Sequence, residues 1–422
     1  MSAGQENKNR RDFLKTAGGV AAGLAVGGAA GWLSRSPEIV TTPSSAVTST
    51  VTVTAPAPAP EVLKIGFIEI MSGADSAMGQ RATEGATVAL EDINGSGGIV
   101  DGVTGKRYTI DIVWGDGGCD ATTGLSSLRK MIDIDKIKFF GGPPCSSAAV
   151  PMASVCDSEK IVMFSPSATS PKLKEFPNTF KLFPMQDVVD RAFAKAVFND
   201  GNGHIVIIYQ TDEVGSFLGP DVKKNFEEAG GTVDAMFGVE PLSTDYRTVI
   251  TKILAMPDPK PAVFHSIIEA AMNLFYKQAY ELGLAGHPES PPIYGTGAYP
   301  AAIAANPEAT EGSYFFLPAY SNETWQYLRF SELFKKRWPN ALEGEVLLEE
   351  VRSAHDVITG FKLAVEKGGY TYDGMVNALH GMAWQGVAYP IQLDDKGTNQ
   401  RCAMDEMIAK NGKLVFVKHA PL

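Results

Sequence analysis

The chain has 422 residues, of which 44% are hydrophobic and 20% are charged, and its formal net charge is −11. This length predicts two or three domains with an ample core, and the acidic balance argues against nucleic acid or anionic lipid as a partner. The four cysteines and six histidines show neither C-x-x-C pairs nor other ligand spacing. We therefore predict no metal site.

The first 61 residues are predicted to precede the folded part of the chain. Asn9–Lys15 reads Asn-Arg-Arg-Asp-Phe-Leu-Lys, which matches the twin-arginine export motif, and a weakly apolar stretch follows it. We interpret residues 1–35 as a twin-arginine-type export signal or an N-terminal membrane tether, because no clear cleavage site is visible. The protein is expected in the periplasm or at the outer face of the cytoplasmic membrane.

Residues 36–61 form a linker that is rich in Ser, Thr and Pro and ends in alternating Ala and Pro. Such a composition builds no core, and alternating prolines favour an extended spacer. Two interpretations stay open: a stalk that holds a domain off the membrane, and a disordered leader.

From Val62 onward, short β-type runs alternate with helical patterns. The predicted strands are Leu63–Ile70, Tyr108–Trp114, Ile137–Phe140, Ile161–Phe164, His204–Tyr209, Val233–Val239, Pro261–Ile267 and Pro292–Tyr294. A hairpin is predicted over Ala403–Val417, with Asn411-Gly412 at its turn. The predicted helices are Ala82–Ile93, Thr122–Ile132, Ala148–Ser158, Leu218–Ala229, Tyr246–Met256, Ala271–Leu282, Glu323–Trp338 and Glu349–Lys367. This order predicts an α/β fold with parallel sheets covered on both faces, arranged as two lobes.

Two turns of small and hydroxyl residues stand out, and we name their central residues the anion cradle: Ser146, Ser147, Ser167, Ala168 and Thr169. Each turn follows a buried strand, and the first precedes a helix with Ser146 or Ser147 predicted at its N-cap. Free N–H groups and the helix dipole favour an anion at such an end. On the turns alone, an ordinary capped helix without a ligand is the favoured interpretation.

Several motifs together resemble one known family, the branched-chain amino acid (leucine/isoleucine/valine-type) substrate-binding proteins of ABC importers. The motifs are Lys64–Ala74, Gly79, Gly85–Asn94, Gly97–Ile99, Asp116–Asp120, Cys145–Ser147 and Ser165–Thr169. The resemblance implies a type I periplasmic-binding fold, in which two Rossmann-like lobes are joined by three crossovers and close over a ligand like a hinged trap.

On that fold, the crossovers are expected near Phe183–Asp187, Phe316–Tyr320 and Pro390–Asp395. Lobe one would then combine residues 62–185 with 320–389, and lobe two would combine 186–319 with 390–422. The family pairs the residues equivalent to Cys119 and Cys145, which we place beyond the ends of two neighbouring strands. Closing this loop is worth about 3 kcal/mol in the chain-entropy model. Cys156 and Cys402 are interpreted as buried free thiols, with a second disulfide as the minority alternative.

The resemblance assigns the ligand's α-carboxylate to the anion cradle. Ser146, through its hydroxyl and its own N–H, and Thr169 occupy the carboxylate-binding positions, and the position of Ser167 offers its carbonyl to the ligand's ammonium. These residues are all present. A carboxylate-bearing ligand is therefore predicted.

The rest of the family's site is not matched. Three aromatic positions correspond to Met78, Val214 and Ile268, and the acid that neutralises the ligand's ammonium corresponds to Gly297. The nearby acids Glu269, Asp212 and Glu213 are candidate replacements, and the alternative is that each is a solvated loop carboxylate. Tyr299 is a candidate to stack on a planar ligand.

The predicted function is that of an extracytoplasmic solute-binding protein of an ABC importer, with permease subunits and their cytoplasmic ATPases as partners. A branched-chain or related amino acid is the favoured ligand. An aromatic acid, an amide or urea remain alternatives, as does a ligand sensor of the same fold.

An exported cofactor enzyme is the remaining alternative. It starts from Gly295–Pro300, which carries half of a dinucleotide-binding fingerprint. Its third glycine is replaced by proline, and no ribose-binding acid follows at the expected distance. We therefore predict no cofactor and no enzymatic activity.

Overall fold

The computed structural model describes residues 60–73, 76–241, 243–267, 269–297, 300–318, 323–340, 349–401 and 403–420. The predicted export segment, nearly all of the linker, and Ile268, Tyr299 and Cys402 lie outside them. Within the described residues, no helix combines the length and the apolar composition that crossing a bilayer requires.

The first sheet has six strands in the order β2-β3-β1-β4-β5-β6, and all but the β2 edge strand run parallel to their neighbours. Helices cover both of its faces. Its strands are β1 (Glu61–Glu69), β2 (Ile99–Val100), β3 (Arg107–Asp116), β4 (Phe139–Gly141), β5 (Val162–Ser165) and β6 (Thr179–Lys181). Its helices are α1 (Ser76–Gly95), α2 (Ala121–Lys130, extended by a π turn over Met131–Asp135) and α3 (Ser146–Ser158).

The second sheet has seven strands in the order β15-β14-β11-β10-β9-β7-β8, of which β7 to β11 pair in parallel. The strands and helices of its parallel part alternate as β7 (His204–Gln210), α5 (Gly215–Glu228), β8 (Thr232–Val239), α6 (Arg247–Leu254), β9 (Ala262–Ser266), α7 (Glu269–Leu282), β10 (Ile293–Thr296), α8 (Pro300–Ala305) and β11 (Tyr314–Pro318). Helix α4 (Gln186–Asn199) precedes β7 and packs on the same sheet.

The chain passes between the two sheets three times. It leaves the first sheet after β6 and leaves the second after β11. It then adds α9 (Trp325–Arg337), α10 (Glu349–Gly368), α11 (Tyr372–Leu379) and the short pair β12 (Ala383–Gln385) and β13 (Pro390–Gln392). Helices α10 and α11 pack on the first sheet. The third passage leads to the antiparallel hairpin of β14 (Met404–Lys410) and β15 (Lys413–Ala420) at the edge of the second sheet.

The predicted α/β class with parallel sheets covered on both faces is confirmed, and so is the hairpin turn, where Asn411 and Gly412 both have positive φ. The lobe boundaries stay predictions. Helix α4 was not among the predicted elements, although Val189, Phe193 and Val197 recur at helical spacing and are buried. The placement of Cys119 and Cys145 after neighbouring strands is wrong, because β1 lies between β3 and β4.

Helices α1 and α10 cross in close contact over the first sheet. The crossing point is Gly85, where an added Cβ would lie 1.7 Å from the carbonyl oxygen of Val351. Only a residue without a side chain lets the two backbones approach this closely. This contact fixes the first turn of α10, and with it Glu349 and Glu350, beside the carboxyl end of β1.

A Gly85→Ala substitution should therefore destabilise the protein, because the new methyl group would force the helices apart. We expect a loss of about 1–3 kcal/mol in the free energy of unfolding, as for other overpacked cores, measured by thermal or urea unfolding. Gly95→Ala at the end of the same helix is the matched control, since its Cβ would meet nothing within 4 Å. An equal effect of the two substitutions would contradict the proposed role of the crossing.

Candidate ligand-binding site

The anion cradle lies at the carboxyl edge of the first sheet. Strands β4 and β5 are parallel neighbours, so the turns that follow them meet at one edge. Gly142 makes the first turn possible, since its φ is +88° and an added Cβ would lie 2.0 Å from the Ile68 carbonyl oxygen. Its N–H donates to the Phe164 carbonyl at 2.9 Å, which ties the two turns together at their base.

A disulfide joins Cys119 to Cys145, as predicted, with 5.2 Å between the two Cα atoms. The bridge connects the loop after β3 with the turn after β4, and therefore spans the end of the intervening strand β1. Cys156 is buried and free, and burial raises the pKa of its thiol. This part of the cysteine prediction is confirmed.

Ser146 is not the N-cap of α3, and neither is Ser147, which corrects the prediction for both. Cys145 occupies the cap position with an extended backbone, and no side chain closes the cap. Ser146 is instead the first helical residue and is buried. Its Oγ accepts hydrogen bonds from the backbone N–H groups of Thr169 and Ser170, both at 3.1 Å. Because a hydroxyl also donates one proton, Ser146 retains a donor after binding the second turn.

The remaining cradle residues support this arrangement. The Ser147 hydroxyl donates to the Cys119 carbonyl at 2.8 Å, so it holds the disulfide loop. Thr169 is half-buried, and its carbonyl accepts the N–H of Gln186 at 2.9 Å. Ala168 is buried, and Ser167 is half-buried against a small cavity.

On the second sheet, the loop after β7 faces the cradle. Glu213 accepts from the Ser170 hydroxyl at 3.3 Å and pairs with Lys172 at 2.9 Å. The Asp212 carboxylate accepts the Gly215 N–H at 2.7 Å, so it closes the start of α5, and burial raises its pKa. Val214 is half-buried beside them.

The other predicted residues of the second sheet contribute little that can be described. Ile268 and Tyr299 lie outside the described residues, and Glu269 is described only as the first residue of α7. Gly297 has a φ of +79°, and its N–H donates to the Phe316 carbonyl at 3.1 Å. The position that carries an acid in the family is thus a left-handed turn residue without a side chain.

A group of carboxylates on the first sheet was missed by the sequence analysis. Glu69 ends β1 and is 2% exposed, and Glu349 and Glu350 begin α10 and are half-buried. Burial, followed by the charges of Glu349 and Glu350, raises the pKa of Glu69 well above its usual range. We name Glu69, Glu349 and Glu350 the acid cluster.

Glu69 and Met78 line one small cavity together with Ser167 and Glu350. Met78 was a predicted site residue, and this cavity brings it to the cradle. One signal for the cluster was visible in the sequence, since Glu69 stands between Ile68 and Ile70 in an otherwise apolar strand. The contribution of α10 could not be seen in the sequence, because 280 positions separate its first turn from the end of β1. Among the described residues, no group of three or more His, Cys, Asp or Glu side chains could hold a metal ion.

Family models and known proteins that are similar to this chain agree on one family of proteins. A family model described as periplasmic binding protein matches residues 62–411, and one for the twin-arginine translocation pathway signal sequence matches residues 9–27. The leucine-, isoleucine-, valine-, threonine- and alanine-binding protein of Pseudomonas aeruginosa is 26% identical over 347 residues, covering 80% of this chain and 87% of that protein.

Two solved structures share the fold. A leucine binding protein of Thermotoga maritima has a TM-score of 0.74 at 20% identity, covering 85% of this chain and 98% of that one. A solute-binding protein of an R. palustris ABC transporter, in complex with benzoate, has a TM-score of 0.73 at 18% identity, covering 85% and 96%.

The acid cluster should make stability fall as the pH rises. Burial and Glu350 raise the pKa of Glu349 from 4.5 to about 8. Between these values the unfolded chain binds fewer protons than the folded protein, so the free energy of unfolding declines with rising pH. A Glu349→Gln variant does not lose stability in this way. The difference between its melting temperature and that of wild type should therefore increase from about pH 5 to about pH 8.

Glu366→Gln, at the far end of α10, is the control. A constant difference across this range would show that Glu349 is not buried in its acid form.

Proposed function

The chain belongs to the periplasmic binding protein family, and we propose that it captures a small carboxylate-bearing ligand for an ABC importer. The protein is exported to the periplasm. Its two-sheet α/β architecture is the type I periplasmic-binding fold. Proteins of this family bind small ligands and work with ABC transporters. A permease with cytoplasmic ATPases as the specific partner, and a purely binding role without catalysis, are parts of the proposal.

The hydroxyl of Ser146 is the observation that carries the proposal. It is buried, it accepts two backbone N–H groups from the second turn, and its proton remains to be donated. It is the first residue of α3, where the leading N–H groups of a helix have no carbonyl one turn earlier to donate to. The Ala148 and Ala149 N–H groups already donate to the Cys145 carbonyl. Donors that converge at a buried edge suit an anion, and the family binds a carboxylate at this position.

The energetics of such a cradle are sufficient for a transport protein. Each hydrogen bond to a charged group is worth roughly 1.5–3 kcal/mol. Three or four of them supply much of the roughly 8 kcal/mol that a micromolar dissociation constant requires.

Closure over the ligand follows from the contacts that join the two sheets. Glu213, on the loop after β7, pairs with Lys172 and accepts from Ser170, next to the Thr169 position of the cradle. A ligand held by Ser146 and Thr169 would lie beside this contact. We infer that these contacts support the closed arrangement of a hinged trap.

The favoured ligand is a branched-chain or related amino acid, in line with the name of the Pseudomonas relative. Aromatic acids are the second candidate, because a structure of the same fold contains benzoate. An amide or urea, which would use the cradle without a negative charge, ranks lower. The same fold in a sensor would deliver the ligand to a receptor, and a pull-down with the permease distinguishes that role.

A thermal-shift screen tests the proposal directly. The probes are L-leucine, benzoate, acetamide and urea, with buffer alone as the baseline. A ligand at 100 times its dissociation constant stabilises the folded protein by about 2.7 kcal/mol, which is readily measured. We expect carboxylates to raise the melting temperature. If only the uncharged compounds did so, the carboxylate assignment would be wrong.

Two substitutions locate the site. Thr169→Val removes a hydroxyl while keeping the side-chain shape, and Ser146→Ala removes both the donor and the link between the turns. Each should weaken carboxylate binding about tenfold or more, since one charge-assisted hydrogen bond is lost. Ser158→Ala, the same change at the exposed far end of α3, is the control for calorimetric titration. Wild-type affinity in both cradle variants would refute the site.

A further inference from the structure

A small cavity lies beside the anion cradle, between β1 and the first turn of α10. Its lining includes Glu69, Glu350, Met78 and Ser167, and its volume is about 10 Å³. Ser167 is itself a cradle residue, two positions before Thr169. The cavity therefore adjoins the place where the ligand's carboxylate is expected.

We propose that Glu69, supported by Glu350, binds a primary ammonium group of the ligand in this cavity. The assignment rests on the proposed function, because it needs the ligand's carboxylate in the cradle. It supplies the charge partner that Gly297 cannot provide, and it does so from the first sheet instead of the second.

Glu69 is the first argument for a ligand. Its side chain is 98% buried at the carboxyl end of β1 and lines the cavity. Among the described residues, no cation and no side-chain donor is paired with its carboxylate, and only the N–H of the adjacent Ile70 favours its ionised form. A buried carboxylate without a counter-charge is strongly unfavourable. A bound ammonium would remove that penalty.

The charge balance around the cavity gives the sign of the ligand group. Glu69 faces Glu349 and Glu350, and the two guanidinium groups nearby are those of Arg81 and Arg352. Glu349 keeps its proton below about pH 8, so Glu69 and Glu350 are the carboxylates of the cluster that can be charged. Both guanidinium groups act on Glu350, and neither acts on Glu69. A cation complements the Glu69 carboxylate, whereas a second ligand carboxylate would be repelled.

The size of the cavity indicates which cation fits. A volume of about 10 Å³ holds roughly one water-sized group. A primary ammonium has that size and three donors, for which the carboxylates of Glu69 and Glu350 and the Ser167 carbonyl are candidate acceptors. A guanidinium or an aromatic cation needs more space than this arrangement offers.

The pH dependence provides a second signature. Binding an ammonium requires an ionised carboxylate, and burial together with Glu349 and Glu350 raises the pKa of Glu69. Arg81 and Arg352, beside Glu350, act in the opposite direction on that residue, and the Tyr389 hydroxyl lies 3.3 Å from Glu349. Affinity for an amino acid should therefore increase as the pH rises through the raised pKa of Glu69, above the usual range of a glutamate. Affinity for an acid without an ammonium group should not increase.

Calorimetric titration of the full-length protein with matched probes tests the inference. The probes are L-leucine, its ammonium-free analogue 4-methylpentanoate, L-lysine and benzoate. Leucine and 4-methylpentanoate differ only in the α-ammonium, and lysine adds a second ammonium on the side chain. Glu69→Gln keeps the side-chain size and should fold, because it removes a buried charge. Glu61→Gln, at the exposed opposite end of β1, is the matched control.

In wild type, we expect leucine or lysine to bind at least tenfold more tightly than 4-methylpentanoate. Glu69→Gln should abolish that preference while leaving 4-methylpentanoate and benzoate within about twofold of wild type. Preference for leucine assigns the α-ammonium to the cavity, and preference for lysine over leucine assigns the side-chain ammonium.

Two results would overturn the inference and leave the proposed function intact. One is an ammonium-free acid that binds wild type as tightly as its amino acid. The other is a Glu69→Gln variant that retains the full preference. If none of the four carboxylates bound at all, both the inference and the proposed function would be wrong, so the two failures are distinguishable.

Discussion

The hydrogen bonds to the Ser146 hydroxyl are the interaction on which the candidate site depends. They join the turn after β4 to the turn after β5 through the N–H groups of Thr169 and Ser170. The disulfide fixes the first turn, and the Thr169 carbonyl accepts the N–H of Gln186, where the chain enters the second sheet. A ligand atom bound at Ser146, as proposed, would thus be connected to a passage between the sheets by a few covalent and hydrogen bonds. The same backbone segment thus carries a cradle residue, Thr169, and the start of the connection to the second sheet.

A second anchor of this passage is the buried side chain of Lys181. Its ammonium donates to the carbonyls of Leu173, Thr179 and Lys396, and the last of these belongs to the third passage between the sheets. Burial lowers the pKa of Lys181 to about 7, so the three carbonyls must offset a large loss of hydration. The first and third passages are therefore held together as one unit.

The sequence predicted those parts of the structure that depend on local pattern. Short, largely apolar runs predicted β1, β5 and β7, and Asn411-Gly412 predicted the hairpin, because positive φ at both positions favours that turn. The cradle followed from the position of hydroxyl residues after two parallel strands. The predicted helix cap was wrong because the Ser146 hydroxyl accepts hydrogen bonds from the second turn and does not cap its own helix. The order of the strands in the sheet also cannot be predicted from the local sequence pattern. Cys119 and Cys145 were therefore assigned to neighbouring strands.

The ammonium partner illustrates why the rest of the site could not be predicted. The resemblance places the family's acid on the second sheet, so the sequence points to replacement acids in the loops of that sheet. The Asp212 carboxylate accepts a hydrogen bond from the N–H at the start of α5, and Glu213 forms an ion pair with Lys172 and a hydrogen bond with Ser170. On the first sheet, Glu69 is a buried carboxylate without a cationic partner among the described residues, and a helix crossing that requires Gly85 brings it next to α10. Nothing local in the sequence connects β1 with a helix that begins 280 residues later. If Glu69 holds the ammonium, the first sheet alone binds both charged ends of an amino acid, and the second sheet is free to recognise the side chain.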